Sequence, residues 1–461
     1  MVQRLNRFFK AWFGDFTKEE LKKFVFLGII FAFVIGIYWT LRPMKDSIFG
    51  SLVHNPADVL ANSKNKMAYV PWAKILSLII LFPLVIGYSS LVERFKRHHL
   101  FYIMGGIYFL LSLAFGAFFY WHPTIGLENT VGSPYRIIGW LWYVFVESYG
   151  SLIVTLFWAF ATDTCTPQEA AKGFGLTVMI GQLGSIFGPM FLTPLGEKYF
   201  GNSGPTVLIC AALILIMLLA VGLFVAYTPK SQLTGFHAKN EEKVEGEQEP
   251  GFFEGLQLIL KQPYLLGIFG VIAIYEIVGT IFDYAFKGSG AGAHQAEAAL
   301  TKFFGEYAVA VNVLSFLFLL FGVNNIQRYL GARFSLALVP ILIAIATVVF
   351  LTYDSPYVLF FLMVAVKAIS YAINSPVMKQ LYVPTTKDVK YKSQAWIETF
   401  GSRSAKASGS LVNIIKTNLG NRYFLMVMAP VLMSLLTIWF FIARFLGKTY
   451  QTAVDQKKVV C

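Results

Sequence analysis

The residues of this chain most able to do chemistry are charges set inside apolar stretches. Glu147 lies in WYVFVESYGSLIVTLFWAFA, with long runs of apolar or small residues on each side. A carboxylate so placed cannot reach either surface of a membrane, and it implies a transport path or a pair that fastens two helices. Glu276 and Asp283 stand seven residues apart in one apolar segment, so two helical turns put them on one face. Lys287 follows Asp283 at the i,i+4 spacing of a helical ion pair. The densest case is YKSQAWIETFGSRSAKASGSLV, which carries Lys392, Glu398, Arg403 and Lys406 among small residues. Arg403 and Lys406, three apart, share a helix face. Arg offers a planar fork to phosphate oxygens and Lys a compact charge, so this face suits a polyanion. Arg42 and Lys45 in TLRPMKDSIFG add a third basic site, and Lys367 a further cation that can snorkel toward the inner surface.

These charges are unusual only because of the elements that must hold them. Of 461 residues, 56% are hydrophobic and 14% charged, with a mean hydropathy of +0.62. An average soluble domain is about 25% charged, so a soluble enzyme is excluded. Apolar segments of roughly membrane-spanning length fall near 23–41, 71–92, 100–120, 137–161, 172–195, 205–227, 264–284, 305–323, 332–352, 356–378, 394–416 and 422–444. The expected fold is therefore all-α: a polytopic membrane protein with twelve transmembrane helices in a 6+6 arrangement. Pro43 is expected to break the first helix and leave Arg42 and Lys45 at its outer end. With the N-terminus inside, inner segments hold roughly 24 Lys and Arg and outer loops roughly 10, which places both termini in the cytoplasm.

The polar stretch Pro229–Pro250, containing HAKNEEKVEGEQEP, splits the chain. It defines an N-terminal six-helix half, 1–228, a solvated cytoplasmic linker, 229–252, and a C-terminal half, 253–461. Residues 256–261 are expected to lie along the membrane surface. GYSSLVERFKRHHL after the second segment and GVNNIQRYLGARFSL after the eighth each run from a Gly (Gly87, Gly322) to paired Arg (Arg94 and Arg97, Arg328 and Arg333). Both resemble degenerate forms of the short cytoplasmic loop motif of the major facilitator superfamily. That resemblance implies a substrate site near mid-membrane.

Other chemistry finds no footing. The net charge of +13 is explained by cytoplasmic loops, so no nucleic-acid partner is expected. Cys165, Cys210 and Cys461 form no CxxC pair, and the six histidines form no HExxH cluster; neither a metal nor a cofactor is expected. Gly447-Lys448-Thr449 ends like a phosphate-binding loop, but Ile442 stands where its first Gly belongs. The chain is therefore expected to be neither an enzyme nor a nucleotide-driven pump, and to work by exchange or on an ion gradient. The Gly184-x-x-x-Gly188 pair reads as a helix-contact motif.

Four stretches carry a closer resemblance. TLRPMKDSIFG, VESYGSLIVTLFWAFA, TIFDYAFK and SYAINSPVMKQLYVPTTKDVKYKSQAWIETFGSRSAKASG resemble, in order, motifs of the bacterial and plastidial ATP/ADP translocase family. Lys45 and Glu147 fall on the family's key lysine and glutamate. Asp283 stands where the family has Glu, with Lys287 on the following lysine. Tyr382, Pro384, Lys387, Asp388, Lys392, Gln394, Glu398, Gly401, Arg403, Lys406 and Gly409 are retained; Met378 replaces the usual Lys, and Ala405 and Ala407-Ser408 loosen a GKSGG pattern. The resemblance implies exchange of external ATP for internal ADP by alternating access. It carries functional roles over to Lys45, Glu147 and Asp283; with the charges read above, phosphates are expected among Lys45, Arg42, Arg403, Lys406 and Lys392, and charge coupling at Glu147, Asp283, Lys287, Glu276 and Glu398. Either Lys392 or Lys406, or both, is the family's remaining key lysine. A proton-coupled symporter of a nucleotide or other phosphorylated metabolite, with Glu147 or Asp283 as the proton carrier, is the alternative. A receptor or scaffold leaves the buried charges unexplained. The expected partners are ATP, ADP and the lipid bilayer, with the chain acting as a monomer. Its expected home is a bacterial inner membrane, ahead of a plastid inner envelope, because no transit peptide is evident.

Overall fold

The computed structural model describes residues 16–95, 97–165, 167–228, 252–321, 324–353, 355–386, 393–394, 396–419, 421–456 and 458–460. The linker 229–251 and Lys387, Asp388 and Lys392 lie outside the described residues. No strand occurs among the described residues. The principal helices are α1 (Lys18–Leu52), α2 (Val70–Arg94), α3 (Arg97–Trp121), α4 (Ile137–Asp163), α5 (Pro167–Leu192), α6 (Gly204–Tyr227), α7 (Pro263–Ala293), α8 (Glu297–Phe321), α9 (Asn324–Thr352), α10 (Pro356–Ile369), α11 (Ser402–Leu419) and α12 (Asn421–Gln456). They coincide in order with the twelve apolar segments.

Ten of them, α1–α9 and α12, are long and apolar enough to cross a membrane. The other two depart for visible reasons. The α10 segment is 14 residues long before a π turn at Ser370–Asn374, after which Ser375–Gln380 resumes the helix. The α11 segment is entered through a second π turn, Ile397–Gly401, and its polar residues lower its hydropathy. Phe252–Lys261 forms a separate short helix, where a surface helix was expected.

Pro43 does not break α1, contrary to expectation. The helix starts at a capping box in which Thr17 and Glu20 satisfy each other's backbone N–H, and it runs 35 residues to Leu52. Proline removes one backbone donor, and neighbouring groups can compensate inside a packed bundle. The carbonyl that loses its donor is that of Trp39, four residues back; just beyond the proline, Trp142 Nε1 of α4 ties the helix to its neighbour by donating to the Met44 carbonyl at 3.3 Å. Lys45 is thereby a helix-interior residue, 5% exposed, and not part of an outer loop.

The chain divides into two compact units. The first comprises Met1–Pro56, Ile79–Glu245 and His294–Phe316; the second comprises Ala57–Leu78, Gly246–Ala293 and Leu317–Cys461. In the first unit α1 is the spine, packed against α4, α5 and α6, while α3 packs on α6. The α1–α5 contact depends on glycine. A Cβ on Gly184 would lie 2.0 Å from the Ala32 carbonyl oxygen, and one on Gly188 would lie 2.5 Å from that of Gly36. The Gly184-x-x-x-Gly188 motif therefore brings two backbones together, as small residues do between membrane helices.

In the second unit α7 is the spine, packed against α10, α11, α12 and the turn Ser63–Met67. Helix α9 packs on α12 and kinks at Gly331, whose φ of +73° favours glycine. Gly184→Ala is expected to destabilise the folded chain by about 1–3 kcal/mol through overpacking. Gly175→Ala, which meets open space, should cost nothing. Thermal unfolding of both variants in detergent checks this, and equal midpoints would refute the close-packing role.

Candidate functional site

The charges singled out in the sequence gather into three clusters, one in the first unit and two in the second. In the first unit Lys45 of α1 donates to Glu147 Oε1 of α4, across 102 residues of chain. The lysine side chain is 6% exposed and the glutamate 32%. Tyr143, one turn before Glu147, places its ring 4.5 Å from the same ammonium group. That ring is itself fully buried and packs edge-on against Phe49 at 5.2 Å. One turn back along α1, the Arg42 guanidinium lies 4.8 Å over the Trp39 ring. The carboxylate and the aromatic face together stabilise a cation that bare hydrocarbon would reject.

The second cluster centres on Asp283 of α7. Its Oδ2 accepts from Lys287, one turn along the same helix, at 2.8 Å, and from Lys74 near the start of α2 at 2.7 Å. The three side chains are between 10% and 22% exposed, so this is more than the surface i,i+4 pair that spacing alone describes. The sequence reading missed Lys74. Its signal was available, since it interrupts VPWAKILSLII in the way Glu147 interrupts its own segment.

The third cluster joins α7 to α11. Glu276 Oε1 accepts from Ser402 Oγ at 2.9 Å and faces Lys406 Nζ at 3.5 Å. Two faces of α11 divide the work. Gly401, Ala405 and Gly409 are buried, and a Cβ on Gly409 would meet Thr280 of α7 at 2.9 Å. Asn413 Nδ2 donates to the Thr280 carbonyl at 3.2 Å. Lys406 is half exposed and Arg403 half buried. Glu276 and Asp283 share a helix yet engage different elements. Lys367 Nζ lies 5.9 Å from the Tyr275 ring. Glu398 falls in the π turn before α11, and its side chain is not described; Lys392 lies outside the described residues.

In each cluster a lysine ammonium group meets a carboxylate brought from a different element. Chemically, such a lysine can bond a phosphate oxygen in place of the carboxylate, because both present the same charge-assisted acceptor. Among the described residues no group of His, Cys, Asp and Glu is arranged to hold a metal ion.

The helical fold is that of major-facilitator-type transporters. It resembles a bacterial homologue of the iron transporter ferroportin in an inward-facing state, with a TM-score of 0.59, 11% identity and coverage of 94% of this chain and 100% of that one. It also resembles the nucleoside transporter NupG, with a TM-score of 0.54, 11% identity and coverage of 92% and 98%. The sequence narrows the class. The family described as TLC ATP/ADP transporter matches residues 2–355, and the chain belongs to that family. ADP,ATP carrier protein 1 of Rickettsia bellii is 24% identical over 490 residues, covering 95% of each chain. The chloroplastic ADP,ATP carrier protein 2 of Arabidopsis thaliana is 21% identical over 491 residues, covering 95% of this chain and 76% of that one.

Lys45→Ala strands the Glu147 carboxylate and should destabilise the protein by about 2–3 kcal/mol, less than a fully buried pair because Glu147 is partly exposed. Adding Glu147→Gln should recover about 1–2 kcal/mol of that loss. Strict additivity in a double-mutant cycle of unfolding midpoints would show that the pair contributes no coupling.

Proposed function

We propose that this chain exchanges ATP for ADP across a membrane by alternating access, using its lysine–carboxylate pairs as the phosphate-binding elements. Family membership together with the Lys45–Glu147 pair carries this reading. Entry of a nucleotide moves the ammonium group of Lys45 from Glu147 to a phosphate oxygen, and release moves it back. In the second unit Arg403 and Lys406 offer a fork and a point charge on one half-exposed face, and Glu276 is the carboxylate that Lys406 leaves. Asp283 takes the equivalent part for Lys287 and Lys74. Arg42 and Lys392 complete the basic set, and Glu398 belongs with the coupling acids.

The α10 and α11 segments complete twelve spans. The Lys and Arg bias puts both termini in the cytoplasm of a bacterium, with the chain a monomer in its inner membrane. No nucleic acid takes part.

The test is uptake of labelled ATP into proteoliposomes with and without ADP loaded inside. Uptake that requires internal ADP is the expected result; uptake into empty vesicles under a proton gradient would replace exchange with symport. Lys406→Ala should lower ADP-dependent uptake by about tenfold or more while the folded yield is retained. Near-normal uptake in that variant would remove Lys406 from the site.

A further inference from the structure

One carboxylate of the transport domain is treated differently from all those above. Glu297 opens α8 and is half buried. Its Oε1 accepts from Thr301 Oγ1 at 2.7 Å and from Ser47 Oγ of α1 at 3.3 Å, and its Oε2 accepts from the Ser203 backbone N–H at 3.0 Å. Ser47 and Thr301 Oγ atoms are in direct contact, and Ser203 Oγ donates to Thr301 Oγ1 at 3.2 Å. All three hydroxyl residues are 0% exposed. Three fully buried hydroxyl side chains thus converge on one carboxyl group, and every one of its partners is neutral.

The charged and titratable groups of the neighbouring elements are engaged elsewhere. On α1, Lys45 is held by Glu147 and Asp46 is buried beside Ser47; just past its end, His54 Nδ1 is bonded to the Gly50 carbonyl at 2.8 Å. Before α6, Glu197 pairs with Lys302 of α8 at 2.8 Å, and Lys198 lies 4.9 Å over the Tyr199 ring. Just before α8 the His294 ring packs 4.8 Å from that of Phe303, and on α8 Glu306 lies beyond Lys302. Among the described residues none of these forms an ion pair with Glu297.

The hydroxyl network can satisfy the carboxyl group in both protonation states. Ionised, Glu297 accepts from Thr301, Ser47 and the Ser203 N–H. Protonated, it donates from Oε1 to Ser47 Oγ, whose own proton turns to the Pro43 carbonyl at 3.2 Å or the Met44 carbonyl at 3.3 Å. Each of these carbonyls has a second lone pair, and a serine in a helix commonly bonds the carbonyl three or four residues back. Lys45 and Asp283, each committed to opposite charges, have no such second arrangement.

We propose that Glu297 is a proton-binding site that sets how readily the end of the bundle carrying the α1 C-terminus, Ser203 and the start of α8 opens during nucleotide exchange. A proton from the water on that side adds to Oε1 and leaves by the same route. The ionised group holds α1, the α6 entry and α8 together through charge-assisted hydrogen bonds, which are about twice as strong as neutral ones. Protonation weakens that fastening. The start of α8 packs with α1 and α6 in the first compact unit although it follows the linker; in a 6+6 exchanger whose halves separate at that end, this is a contact that parts. This inference rests on the exchange reading above for its transport consequence, but not for proton binding itself.

The experiment measures ADP-dependent ATP uptake in proteoliposomes against the pH on that side, from about pH 5.5 to about pH 8, together with infrared difference spectra of the nucleotide-free protein in lipid. Wild type should exchange severalfold faster at the acid end and show a carboxyl band that titrates. Glu297→Gln, an uncharged mimic of the protonated form, should exchange at the fast rate at every pH and lack the band. Thr301→Val keeps the carboxyl group but removes its shortest hydrogen bond, so it should move both midpoints to higher pH; it also serves if the Gln variant does not fold. A flat wild-type profile, or a Gln variant with the wild-type profile and band, overturns the proposal. So does a sodium requirement, measured at constant pH against choline, that Glu297→Gln removes. If wild type moves no nucleotide, the exchange reading fails while the infrared titration still decides whether Glu297 binds the proton.

Discussion

Lys45 can occupy the interior of a membrane helix because Glu147, on a different helix, meets its ammonium group, and much of the architecture follows from that requirement. A lone cation at the centre of a bilayer costs about 2.5–3.5 kcal/mol on insertion scales. The cost is offset only when a second element delivers a carboxylate at contact distance. Helix α4 delivers Glu147 to α1; α7 delivers Asp283 to Lys74 and Glu276 to Lys406. The ion pairs are therefore also topological statements, each requiring two remote segments to be adjacent. Contact at that range requires helices to lie close, and the glycine seams supply the closeness. Gly184 and Gly188 bring α5 to α1 in the first unit, while Gly409 brings α11 to α7 in the second.

How much of this could be read from the sequence depended on whether a residue's meaning was local. Glu147 was legible because a single acid in an unbroken apolar run has to be either on a transport path or in a pair that fastens two helices. So was Arg403 with Lys406, whose helical spacing shares a face. Partners were not legible, since the contact between Lys45 and Glu147 spans 102 residues and no periodicity encodes it. Pro43 misled, because α1 is held continuous through it by packing on other helices, Trp142 of α4 among them. Lys74 was passed over in a segment judged only by its average hydropathy.

Glu297 shows the converse error. Glu297 and Lys302 both lie ahead of the expected span, which began at 305. In the structure α8 begins at Glu297, because Lys302 pairs with Glu197 and Glu297 is surrounded by hydroxyls. Charges that are satisfied by remote partners do not end helices. A window average over one segment cannot tell a satisfied charge from an unsatisfied one.

The same pairing explains why such a site suits exchange and not tight capture. A lysine with no anion nearby would gain a large interaction when phosphate arrives and would release it slowly. A lysine already bonded to carboxylate gains only the difference between two similar charge-assisted bonds. Binding is then a swap of partners, small in net free energy, and the returning carboxylate assists release. The carboxylate also protects the empty carrier, since without it the ammonium group would stand unpaired in a low-dielectric interior each time the nucleotide leaves. If nucleotide binds as proposed, Glu147, Asp283 and Glu276 act in this sense as stand-ins for the cargo.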